Sequence, residues 1–239
     1  YGVKNNYTSN EVSWAFDDVV PDISFVFLSN QVSNNDYTND SSINFMVRWS
    51  EPLHTDYSFN INKLLVKKNG IKQSLDKYKL TTTDTNTHME LNFDPSFNNK
   101  DEYTFELSSN IVRDYAGNSN NTSSSFTWTY DPIPPVLYEF QYTTPLLLDD
   151  GKITFDLSWS ELLDPVFSVS NVNVVPSGQG IIEVSGNVSD FNATFTFTPS
   201  AELITDTRDF TFSVSGEAIT DKAGNQGAND VSFTWRYAV

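Results

Sequence analysis

One stretch occurs twice whole and once cut short, and nothing else in the chain limits its architecture so strongly. Asp114-Tyr-Ala-Gly-Asn118 runs to Phe126-Thr-Trp-Thr-Tyr130, and Asp221-Lys-Ala-Gly-Asn225 runs to Phe233-Thr-Trp-Arg-Tyr237, with the leading Asp 14 residues before the Trp in both. Aligned on Trp14, the start of the chain repeats the end of that stretch: Val12-Ser-Trp-Ala-Phe16 falls on 126–130 and Asp17 on Asp131. The tryptophan spacings are 114 residues (Trp14 to Trp128) and 107 residues (Trp128 to Trp235). Two further blocks keep the register. Ile43-Asn-Phe-Met-Val-Arg-Trp-Ser-Glu51 matches Ile153-Thr-Phe-Asp-Leu-Ser-Trp-Ser-Glu161 at an offset of 110, and Tyr103-Thr-Phe-Glu-Leu107 matches Phe210-Thr-Phe-Ser-Val214. The chain therefore reads as the closing strand and linker of a preceding repeat, 1–17, followed by two homologous domains, 18–131 and 132–239.

Within each repeat the apolar residues alternate. Ile43, Phe45, Val47 and Trp49 lie on one side with Asn44, Met46 and Arg48 opposed, the period of two that marks a half-buried strand. The second domain shows seven such segments, at 136–142, 153–159, 167–175, 181–184, 193–197, 210–214 and 231–237. The first follows the same order from 23–28, and its polar run 29–42, thick with Asn and Asp, reads as a loop. No segment sustains a helical period. Seven short strands per domain without helices predict an all-β fold of two tandem immunoglobulin-like β-sandwiches. The linkers Asp17-Asp-Val-Val-Pro21-Asp22 and Asp131-Pro-Ile-Pro-Pro135 are stiffened by prolines that fix φ.

Charge narrows the function. With 14 basic against 31 acidic residues, a net of −17, the chain is a poor partner for nucleic acid or an anionic membrane, and cations are its expected company. Six lysines, Lys63, Lys67, Lys68, Lys72, Lys77 and Lys79, gather in one stretch, read as a solvated strand and loop that discourages edge pairing, with a contact patch for an acidic neighbour as the alternative. Cysteine is absent, which excludes disulfides and thiolate chemistry. No apolar run is long enough for a membrane helix, so this segment is not expected to insert directly.

The Trp-Ser-Glu-Pro block at 49–52, its partner at 159–161, the Asp-x-Ala-Gly-Asn blocks and the Asp-Pro-x-Pro-Pro linker together resemble the bacterial-type Ig-like repeats of large cell-surface proteins. The resemblance covers essentially the whole chain, with Leu162 standing where a proline would follow Glu161. It implies an extracellular building unit of a stalk, adhesin, filament or surface layer. Its partners would be neighbouring Ig-like repeats of the same or an identical chain, and cell-surface glycans or protein.

Candidate sites are few. Glu51 and Glu161 end the same strand of separate repeats, so they cannot form the closely spaced carboxylate pair of a hydrolase and are read as structural. His54 and His88 have no counterparts in the second domain, and no nucleophile constellation or phosphate loop occurs. The chain is expected to be no enzyme and to require no cofactor. Calcium is the one ligand with a chemical basis, because this hard cation takes carboxylate and carbonyl oxygens. Asp17, Asp18 and Asp22 at the first junction and Asp131 at the second are its candidate ligands. Asn-x-Ser/Thr glycosylation acceptors fall at Asn6, Asn39, Asn120, Asn121, Asn187 and Asn192. A carbohydrate- or ligand-binding sandwich is the alternative. It would need outward aromatics, whereas all five tryptophans lie in phase with the apolar face. Residues 1–17 carry the apolar face of a closing strand, and Trp14 is expected to point away from the first domain's core.

Overall fold

The computed structural model describes residues 15–27, 33–41, 43–54, 61–77, 81–84, 88–93, 99–142, 151–185 and 189–238. The strand expected at 11–16 and the burial of Trp14 lie outside the described residues except at Ala15 and Phe16. Phe16 is exposed.

The first unit opens with β1 (Ile23–Phe27), β2 (Asp36–Thr38), β3 (Ile43–Trp49), β4 (Leu64–Lys68) and β5 (Ile71–Lys72). It continues with β6 (Thr81–Asp84), β7 (His88–Phe93), β8 (Asp101–Leu107) and β9 (Ser124–Tyr130). Its two sheets run β1-β3-β7-β6 and β2-β9-β8-β4-β5. In the second unit β10 (Gln141–Tyr142), β11 (Ile153–Ser158), β14 (Asn192–Pro199) and β13 (Gly180–Val184) form one sheet. There β12 (Asn173–Val175), β15 (Arg208–Val214) and β16 (Val231–Tyr237) form the other. The only helical pieces among the described residues are three-residue 3-10 turns, and none of the helices is long and apolar enough to cross a membrane.

Each unit encloses its own core because alternate residues of facing sheets point inward. In β8 the inward set is Asp101, Tyr103, Phe105 and Leu107, all buried. Phe45 of β3 meets Phe105 of β8 across the first sandwich, ring centroids 4.3 Å apart. The repeat-equivalent pair, Phe155 of β11 and Phe212 of β15, meets across the second at 5.0 Å. Trp49, Trp128, Trp159 and Trp235 are each no more than 4% exposed, so these four repeated tryptophans are core residues. Outward threonines pair across strands, as Thr104 with Thr127 and Thr211 with Thr234, both at 3.0 Å.

Three expectations are corrected. The polar run 29–42 is not all loop: β2 pairs parallel with β9, from Asp36 opposite Trp128 to Thr38 opposite Tyr130. Asn35 makes this possible by taking a left-handed φ of 66° while its N–H donates to the Thr127 carbonyl. Second, the segment 167–175 begins not as strand but as a 3-10 turn at Val169–Asn171, in which the Ser168 N–H donates to Asn171 Oδ1. Third, 136–142 is not a continuous strand, since Leu137 makes only an isolated bridge to Trp159 before β10 begins. Of the lysine-rich stretch, Lys72 is on the edge strand β5, Lys67 and Lys68 are not free in solvent but pair with Glu106 (2.5 Å) and Asp101 (2.8 Å) of β8, and Lys79 lies outside the described residues.

The two aromatic cores share no member, and this generates a prediction. Phe155→Ala removes a ring at the centre of the second core and should destabilise that unit by about 3–5 kcal/mol. Differential scanning calorimetry should show the transition of the second unit moving down while that of the first stays in place.

Candidate functional site

The two Asp-x-Ala-Gly-Asn loops are closed by their own side chains. Asp114 Oδ1 accepts from the Asn118 N–H and Asp221 Oδ1 from the Asn225 N–H, both at 2.8 Å. The loop N–H groups that close these turns come from Gly117 (φ 94°) and Gly224 (φ 87°), backbone conformations that a side chain strains. Leu53 bridges to Asp114 and Leu163 to Asp221, so the chain leaving each Trp-Ser-Glu block is drawn against the loop.

The asparagine that ends each loop then takes hold of the linker. Asn118 Nδ2 donates to Asp114 Oδ2 (2.8 Å) and to the carbonyls of Asp17 and Val19, both at 3.0 Å. Asn225 Nδ2 donates to Asp221 Oδ2 (2.8 Å) and to the carbonyls of Asp131 (2.7 Å) and Ile133 (3.4 Å). The serine of each Trp-Ser-Glu block binds a little farther on: Ser50 Oγ accepts from the Asp22 N–H and Ser160 Oγ from the Val136 N–H. Two separate parts of the repeat therefore fix the same short linker.

This arrangement gathers carboxylates. One oxygen each of Asp17, Glu51 and Asp114 lie within 4.8 Å of one another, and so do those of Asp131, Glu161 and Asp221. Of the four aspartates read from the sequence as calcium ligands, Asp17 and Asp131 enter these triads. Asp18 and Asp22 do not; the Asp22 carboxylate instead accepts from the Ile23 N–H. Sequence reasoning missed Glu51, Glu161, Asp114 and Asp221 as members of one site. The signal was available, since polar residues that repeat in register with core residues have no packing reason to do so.

The electrostatics of the triads differ. Burial, helped by the charges of Asp114 and Asp17, raises the Glu51 carboxyl above the ordinary glutamate value, and its buried Oε1 has no hydrogen-bond partner. Burial works to raise Asp114 too, but hydrogen bonds from Asn118 and its loop N–H groups hold it below the usual aspartate value. In the second triad Lys100 intervenes: its Nζ lies 2.5 Å from Asp131 Oδ2 and 3.4 Å from Glu161 Oε2. Burial disfavours that ammonium, yet Asp131 and then Glu161 more than offset it and the lysine pKa is raised. Glu161 itself is raised, first by burial and then by Asp131 and Asp221, against the opposing pull of Lys100. The first triad fits a hard dication, with three carboxylates and a buried, unpartnered oxygen. In the second an ammonium already stands among the carboxylates.

The glycosylation candidates separate by exposure. Asn120 is fully buried; its amide donates to the carbonyls of Ser108 and Thr122, and its oxygen accepts from the N–H groups of Ile111 and Val112. The expectation of a sugar at Asn120 is thereby corrected, since the folded protein presents no free amide there. Asn121 and Asn192 are exposed. Asn39 donates to Asn225 Oδ1 at 3.0 Å. Asn6 and Asn187 lie outside the described residues.

A raised carboxyl favours folding only while protonated, so the Glu51 contribution is present at low pH and is lost as pH rises through its folded-state value. Asp114 has the opposite sign: its contribution holds above the ordinary aspartate value and is lost as pH falls through its lowered one. In chelator-containing buffer, Glu51→Gln should therefore raise the melting temperature of the first unit at pH 7, and this gain should vanish on acidification below the glutamate range. Calorimetry across pH measures both; a lower melting temperature at pH 7 contradicts the assignment.

No curated protein matches the chain. Among solved structures, the D00-D0 domain of intimin is 14% identical with a TM-score of 0.33, the alignment covering 91% of this chain and 100% of that one. The N-terminal part of the bacterial S-layer protein SbsC is 14% identical with a TM-score of 0.30, covering 92% of this chain and 44% of that one. A chimeric titin Z1Z2 tandem is 12% identical with a TM-score of 0.25, covering 89% and 97%. Superpositions this loose carry nothing further. The sequence itself is more specific, for residues 149–237 match the family described as bacterial Ig-like domain. With its β-sandwich topology and repeated loop and strand blocks, this part of the chain is similar to a bacterial Ig-like domain.

Proposed function

We propose that this chain is a structural segment of an extracellular array, in which Ig-like units act as spacers joined by stiff linkers. One observation carries the reading: both linkers are gripped by the same apparatus of loop asparagine, strand-end serine and acidic triad. A binding or catalytic module has no need to repeat its machinery at the joints, whereas a spacer depends on them. The reading is supported by the match of 149–237 to the bacterial Ig-like family and by the burial of the tryptophans that a glycan platform would display. No catalytic role is assigned to the acidic triads, since the aspartates in them bind a linker, a loop or a lysine.

Calcium belongs to the same proposal at the first triad, where Asp17, Glu51 and Asp114 would hold it and its charge would relieve their mutual repulsion. Solution scattering of the full chain tests the spacer reading: an elongated particle with a single well-defined maximum dimension is expected, and a compact particle or a broad ensemble would overturn it. Isothermal titration with calcium chloride should show a site that is lost in Glu51→Gln, while circular dichroism in chelator shows both sandwiches still folded. Calcium uptake unchanged by that substitution would remove the ion from Asp17, Glu51 and Asp114.

A further inference from the structure

The two acidic triads are built alike, yet they differ in one component. In both, a linker aspartate, the glutamate of the Trp-Ser-Glu block and the aspartate of the Asp-x-Ala-Gly-Asn loop converge, and in both the loop asparagine holds the linker carbonyls. Among the described residues, no lysine or arginine pairs with Asp17, Glu51 or Asp114. At the second triad Lys100 reaches across from the residue just before β8 of the first unit. Asp131, on the linker, is 1% exposed in its side chain and Glu161, on the second unit, 17%.

We infer that Lys100 is the resident cation of the second junction, an ammonium supplied by the first unit that fixes how the second unit sits upon it. Charge bookkeeping favours this. Three carboxylates in one small volume repel one another, and a counter-charge within contact distance of two of them is the direct remedy; leaving Asp131 buried without it is what the fold must avoid. The surroundings of the lysine are consistent with a seat. Its Nζ lies 5.3 Å from the ring centre of Tyr37 on β2, and Lys222 of the second unit stands over the same ring at 4.5 Å. Beside them Asn39 of the first unit donates to Asn225 Oδ1 of the second. Lys100, Tyr37 and Asn39 thus form one face, and Glu161, Lys222 and Asn225 the face that meets it.

The position is not a fixed element of the repeat. In the alignment that places Tyr103 on Phe210, the counterpart of Lys100 is Thr207. Lys100 therefore marks this particular joint. It makes the second junction independent of any metal, in contrast to the calcium proposed for the first, and the inference rests on the spacer reading only in treating the junction as a rigid connector.

Pulsed electron resonance on the full chain tests it, since the absence of cysteine allows spin labels to be placed at will. Labels attached through Ile71→Cys and Leu203→Cys, both on exposed residues of different units, report the distance distribution between the units. A single narrow peak is expected with Lys100 present, whether or not chelator is added. Lys100→Met should lose that peak and give a broad distribution while calorimetry shows both units folded, and Lys100→Arg, which keeps the charge, should retain it. A peak as narrow in Lys100→Met as with lysine would overturn the inference, as would a peak as broad in Lys100→Arg as in Lys100→Met. Scattering reports whether the chain is extended and this distance reports what holds the joint, so failure of one is distinguishable from failure of the other.

Discussion

The side-chain amide of one asparagine per repeat is the interaction on which the joints depend. Asn118 and Asn225 each have two amide hydrogens and place them among a carboxylate of their own loop and two backbone carbonyls of the linker. The linker's prolines leave it short of N–H donors of its own. An outside donor is therefore needed wherever those carbonyls leave water. An asparagine supplies it from a loop that is already rigid, because Asp114 and Asp221 tie the backbone of their loops from within. Each linker is thus held by a hydrogen-bonded loop of the unit that follows it.

Much of this was legible in the residues. Alternation located β3, β8, β9, β11, β14, β15 and β16 because these strands bury one face against a core and expose the other, and the in-phase tryptophans showed which face. Register across the repeat showed that the units are copies. β2 escaped notice because Asp36 to Thr38 has no apolar alternation: its pairing with β9 comes from backbone hydrogen bonds and the turn at Asn35, which composition does not reveal. The 3-10 turn at Val169–Asn171 was hidden for a related reason, since Ser168 and Asn171 bond locally and compete with a ladder.

The acidic triads show a different limit. Each member was visible as a repeated polar residue, but Glu51 and Asp114 are separated by most of a domain in sequence, and only the Leu53 bridge brings them side by side. Taken by its nearest neighbours, Glu51 is a strand end and Asp114 a turn residue. Both descriptions are correct locally and neither shows the convergence. Lys100 was still less accessible, because it has no repeat counterpart and its partners belong to the linker and the following unit.

The short parallel strand β2 has a mechanical consequence. β9 is the last strand before the linker, so tension applied along the chain reaches the first unit through it. It is held on one side by β8, antiparallel over its whole length, and on the other by β2 in the parallel sense. A strand with a ladder on each flank cannot be unzipped one hydrogen bond at a time when pulled lengthwise; both ladders lie along the force and must slip together. The Asp131 N–H, bonded to the Thr38 carbonyl, carries the β2 side of this grip to the first residue of the linker. Three residues in a polar loop thereby turn the exit of the domain from a peeling edge into a shear joint.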